Sequence, residues 1–264
     1  MHSVSRLMPP LQPPSRPGSL NDPSRAADAS GVSVNDFVLV QGMHDTKLAL
    51  RRWNDDPWRM LRPWATLSLL IACGLLGAVW VVARLSTPDP TNYLIPGYNS
   101  EASFHDYLAV LYRNSLVLAL HAMACVAGFM AGSSLPLAAS KRSGVSRWVH
   151  EKAGPLAIGF VVCATTFSLC TQAYVIGGGA SALAAQLGTS PGLLLLALAP
   201  HALPELFALF LPLAAWIIAS RAGAWHDLLA ATFVTVGISV PILLAAAAVE
   251  TWVAPHLLGA VATQ

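Results

Sequence analysis

A histidine and a carboxylate stand four residues apart in the run Pro200-His201-Ala202-Leu203-Pro204-Glu205, inside a stretch, 193–220, that is otherwise apolar and long enough to cross a bilayer. Ionisable side chains at that depth are costly to keep and are kept mostly for function, so the pair marks a site. If the helix runs through the prolines, His201 and Glu205 share one face. If it breaks there and a second half-helix starts near Pro204, Glu205 falls in a first turn, where the helix dipole favours negative charge. Either geometry gives a His–carboxylate pair. Such a pair suits a proton or ion relay or an inward-facing binding site; it equally suits a buried pair that fixes helix register and satisfies backbone groups freed by the prolines.

Other polar residues belong to the same membrane region. Asn114 begins the second apolar segment, His121 lies in its upper part, and Glu250 closes the last one. The expected intramembrane polar site is therefore His201, Glu205, Glu250, His121 and Asn114, with Pro200 and Pro204 breaking the helix that carries it. Taken singly, His121 also reads as a packing histidine and Glu250 as a carboxylate at the water interface. Sequences that would announce an enzyme are missing: there is no H-E-x-x-H, no G-x-S-x-G and no phosphate-binding glycine loop, and Ser133-Ser134 have no identifiable base. No enzymatic activity, metal site or cofactor is expected; activation of water by His201 and Glu205, as in an intramembrane hydrolase, is the weaker alternative.

The elements that must hold these residues follow from composition. Of 264 residues 55% are hydrophobic and only 11% charged, with a mean hydropathy of +0.58, against roughly a quarter charged in soluble domains. The net charge of +2 argues for no nucleic-acid partner. Apolar segments at about 65–84, 115–139, 155–177, 193–220 and 228–250 predict five spans, hence an all-α polytopic helix bundle in a lipid bilayer. The fourth is too long to be routine: residues 191–220 would make a helix of about 45 Å against a hydrocarbon core of about 30 Å. It must tilt or break, and the prolines point to a broken fourth helix.

Lysines and arginines set the orientation. Lys47, Arg51, Arg52, Arg59 and Arg62 precede the first span, and Lys141, Arg142, Arg147 and Lys152 separate the second from the third. Those sides read as cytoplasmic, which leaves the C-terminus outside. Residues 1–46, rich in Pro, Ser and Ala in their first two thirds, read as a disordered cytoplasmic tail. Residues 47–64 mix Trp53, Trp58 and Trp64 with arginines, as an interfacial segment does. Phe104, Leu108, Leu111 and Tyr112 recur at helical spacing behind a Ser103/Asp106 capping box, which predicts an outer amphipathic helix near 103–113. Gly128 and Gly132 allow close helix packing, within the bundle or between copies in a homo-oligomer. Cys73, Cys125, Cys163 and Cys170 read as small buried hydrophobes.

The run PHALPELFAL at 200–209, followed by AAAVETWVAP at 246–255, resembles the stage II sporulation protein M family of bacterial membrane proteins, whose signature is P-H-G-x-x-E, then an apolar span, then a glutamate shortly before a proline. Pro200, His201 and Glu205 match the first part, Glu250 and Pro255 the second, and Arg113-Asn114 is similar to an Asn-Asn that often stands there. The likeness runs from about Leu108 onward; Ala202 stands where the family usually has glycine. It implies a multi-pass protein of the bacterial inner membrane that serves as a non-enzymatic scaffold or anchor for envelope machinery, with peptidoglycan hydrolases as partners during sporulation. From another class, the ionisable residues suit a small transporter or channel using the His/Glu site.

Overall fold

Apolar residues on 191–222 recur on every side of the helix, the pattern of a post buried all round. The computed structural model describes residues 38–134 and 144–262. Among them the chain forms seven α-helices and no strand: α1 (Val38–Asp55), α2 (Pro57–Leu85), α3 (Phe104–Phe129), α4 (Gly144–Gln186), α5 (Pro191–Ala222), α6 (Leu228–Trp252) and α7 (Ala254–Val261). A π-turn, Met130–Ser134, follows α3, and a 3-10 turn, Trp225–Asp227, precedes α6. Helices α2 to α6 are long and apolar enough to cross a membrane, so the chain builds the all-α, five-span architecture. It divides into two units, Met1–Gln41 and Gly42–Gln264. Of the first only the opening turn of α1 is described; the helix bundle belongs to the second.

Local chemistry starts and stops each helix. The Asp56 side chain accepts from the Arg59 amide with Pro57 at the first helical position of α2, and Ser190 with Pro191 does the same for α5. Ser103 and Asp106 close the capping box of α3. Gly223, at a φ of +67°, ends α5 in the left-handed conformation.

Helix α5 stands at the centre. Buried residues make up 61% of its apolar window against 6% for that of α4, which leans mainly on α2. Contrary to the expected break, α5 is continuous through Pro200, Pro204 and Pro212. The first two lie four apart with exposed rings, so the donors they delete fall on one edge of the helix while the rest of the ladder persists. Pro212 is buried, and it deprives the Ala208 carbonyl of its usual donor. A neighbouring helix fills that gap: Ser239 of α6 donates its hydroxyl to the Ala208 carbonyl at 2.6 Å, while Ser68 of α2 adds a bond to the adjacent Phe207 carbonyl at 2.6 Å. Proline is tolerated inside a membrane helix where adjacent hydroxyls restore the hydrogen bonds it removes.

Other expectations change with the structure. Residues 103–113 form no separate helix; they are the cap and first turns of α3. The third apolar segment belongs to a helix of 43 residues that runs through Gly177, Gly178 and Gly179 to Gln186, because the alanine-rich end continues it and Gly177 lets α4 press on Val79 and Val82 of α2. For the tail, 1–37 lie outside the described residues, whereas 38–46 are helical; Gly42 seats against Leu229 and Phe129, and Ala49 is buried. The interfacial stretch 47–64 is split at Asp56 between α1 and α2, with Trp53 edge-on to Trp64 at 5.4 Å and Arg52 paired to Asp227 at 2.6 Å. Only Cys125 is buried; Cys73, Cys163 and Cys170 face outward, where a thiol serves as a small apolar surface.

Candidate functional site in the membrane domain

At the end of the bundle that carries residues 86–103 and α7, six segments, that connection and α3 to α7, meet around one space. The connection between α2 and α3 is tied down by side chains: Gln186 accepts from the Tyr93 amide at 2.8 Å and donates to its carbonyl at 3.0 Å, and Asn99 accepts from the Ile95 amide at 2.6 Å. Gly97, at a φ of +82°, brings this loop against Pro255, whose ring would lie 2.7 Å from any Cβ placed there. Pro255 opens α7, which turns back over α5 and α6 and buries Leu258 in the main core. Beneath this cover lies a cavity of about 320 Å³. Arg113, His201, Glu250 and Asp106 give it a polar side, and Leu183, Leu198, Val110 and Leu258 an apolar one.

The polar groups arrive from three helices, α3, α5 and α6. His201 comes from α5 and is 8% exposed, with its Nδ1 closing no hydrogen bond. Glu205, one turn further along the same helix, does not line the cavity but lies near enough to Glu250 of α6 and to Asn114 and Arg113 of α3 to feel their charge and polarity. Asn114 is also 8% exposed, and its amide nitrogen has no acceptor within hydrogen-bonding distance. Arg113 influences both glutamates yet forms no ion pair within 4.0 Å of either. Asp106 is held at the rim, accepting from the Ser103 amide at 2.9 Å and hydroxyl at 2.6 Å. The group thus presents two carboxylates, a guanidinium, an amide and an imidazole with hydrogen-bonding capacity to spare.

Comparison with family models, with curated proteins and with solved structures returns no match to this chain. Its chemistry has to be argued from the site itself.

Of the five polar residues singled out in the sequence, the fold brings four together: His201, Glu205, Glu250 and Asn114. His121 stands apart. It lies two turns deeper on the buried stripe of α3, 1% exposed and edge-on to Phe210 at 5.5 Å, facing the Leu209 backbone without closing a hydrogen bond. Pro200 and Pro204 sit on the outer face of α5 and break nothing. Gly128 and Gly132 serve packing inside the chain, the first against Trp216 and Leu228, the second against Trp225. Sequence reasoning left out Arg113 as a site residue. The signal was an arginine at the outer end of a span, on the side where basic residues are scarce.

Proposed function

We propose that this is a multi-pass protein of a bacterial inner membrane that binds a small solute in the pocket beneath α7, as a carrier or solute-responsive membrane protein rather than an enzyme. The convergence of Glu250, Arg113, His201 and Asp106 on a cavity of about 320 Å³, with Glu205 near enough for its charge to act on that of Glu250, carries the reading. Residues 113 to 250 span about half of the chain, and ionisable groups brought together at membrane depth are retained mostly for what they bind or relay. A pocket of this size, with an apolar wall and a few convergent polar groups, has the make-up of a ligand site. The basic residues of 47–62 favour a cytoplasmic N-terminus, which puts the pocket and the C-terminus on the outer side.

The test is a thermal-unfolding panel on the purified protein in detergent, with alkylammonium ions, amino acids, carboxylates and neutral sugars at millimolar concentration. At least one class is expected to raise the melting temperature by several degrees, and Glu250→Gln should remove the response. No shift with any class would count against the pocket reading.

A second reading has its own support. The residues that carry the likeness to the sporulation family, His201, Glu205 and Glu250, are among those that meet at the site. On that reading the protein is a non-enzymatic scaffold or anchor, with peptidoglycan hydrolases or other envelope proteins, or further copies of itself, as partners. Cross-linking in the native membrane followed by affinity purification would then recover cell-wall hydrolases.

A further inference from the structure

The pocket holds more negative charge than it neutralises. Glu250 and Asp106 line it, Glu205 lies near enough for its charge to act with that of Glu250, and Arg113, the guanidinium of the lining, forms no ion pair within 4.0 Å with either glutamate. Two carboxylates near each other in a partly desolvated site repel, and taking them from water is repaid only by a counter-charge in good geometry. Arg113 is itself exposed and therefore screened, which weakens its service as that counter-charge. Asp106 adds a third carboxylate at the rim, already committed to Ser103.

A second, independent observation says that something else completes the site. His201 lines the cavity while 92% buried, with Nδ1 unpartnered. Buried polar atoms of this kind are paired in folded proteins unless a ligand or water supplies the partner. The opposite wall is hydrocarbon, from Leu183, Leu198 and Leu258.

Resting on the pocket reading above, we infer that the ligand is a small organic ammonium compound, its ammonium held by Glu250 on the polar side of the cavity and its apolar body against Leu198 and Leu258. The ammonium supplies the missing positive charge and up to three donors. Where the compound also carries a carboxylate, as an amino acid does, Arg113 at the mouth receives it. The hydrocarbon wall separates this ligand from an inorganic cation, which would gain nothing there and would seek more oxygen donors.

Isothermal titration of the full-length protein in detergent tests this with four probes: butylammonium, leucine, butyrate and sodium. Butylammonium and leucine are expected to bind and to compete with each other, and Glu250→Gln to weaken both at least tenfold. Arg113→Gln should weaken leucine and leave butylammonium within about threefold, an outcome that a purely structural role of Arg113 does not give. Butyrate binding as well as butylammonium, or sodium displacing it at equal concentration, would overturn the assignment. If both ammonium probes fail while a sugar or carboxylate stabilises the wild type and not Glu250→Gln, the ammonium is wrong and the pocket stands. If every class fails, both are wrong.

Discussion

Glu205→Gln is expected to make the protein more stable and to abolish its response to ligand. The side chain keeps its shape, but the charge is gone. With it go the two unfavourable contributions at this position, burial of a carboxylate and repulsion from Glu250, against the smaller attractions of Asn114 and the exposed Arg113. Removing a charge that a functional site keeps at a cost commonly stabilises by about 1–2 kcal/mol, which for a chain of this size raises the melting temperature by about 2–4 °C per kcal/mol. Losing a negative charge close to a ligand cation weakens binding by about tenfold to a hundredfold. Thermal unfolding with and without a stabilising solute measures both. A pair that merely fixed helix register would show the reverse sign, with a lower melting temperature, and an anchor would keep its partners in the mutant.

The second large effect lies at the other end of the bundle. A Cβ on Gly132 would sit 2.2 Å from Cγ and 2.3 Å from Cδ2 of Trp225, so the indole cannot stay where it is. Gly132→Val adds a branched side chain at that point. Overpacking costs typically about 1–3 kcal/mol and occasionally more, and here Trp225 cannot retreat without disturbing the 3-10 turn that sets the start of α6. The variant is expected to accumulate poorly in the membrane and to melt well below the wild type. Glycine-to-alanine at Gly74, where nothing lies within 4 Å, serves as the control and should be near neutral.

Much of this fold is legible in the chain because the bilayer simplifies the problem. Five apolar segments of sufficient length can only be helices once backbone groups must satisfy one another, and the Ser103/Asp106 cap is local enough to be read from spacing. The continuity of α5 was not legible. At Pro212 it is supported by the Ser239 hydroxyl, 31 residues away from the Ala208 carbonyl it serves, and at Pro200 and Pro204 the deleted donors fall on the outer edge of the helix. A proline reads as a break until the helices that repair it are known.

The site divides in the same way. His201 and Glu205 announce themselves by being charged where charge is costly. That Glu205 turns toward Asn114 and Glu250, while His201 lines the cavity one turn away, is set by how α3, α6 and α7 surround α5. His121 carries the same sequence signal and lies elsewhere, because the buried stripe of α3 runs on past Asn114 into the core. Arg113 went unread for the opposite reason: beside Asn114 at a span end it looks like an ordinary flank.

Solute binding of the kind proposed requires a water-accessible polar pocket at the end of the bundle that carries α7. The most direct test is labelling of single cysteines by a membrane-impermeant maleimide, in a background with Cys73, Cys125, Cys163 and Cys170 replaced. Leu198→Cys, on the cavity wall, is expected to react rapidly from the side that bears residues 86–103 and to be shielded by a bound solute, while Leu209→Cys in the packed core does not react. A Leu198→Cys thiol as inert from that side as Leu209→Cys would contradict it.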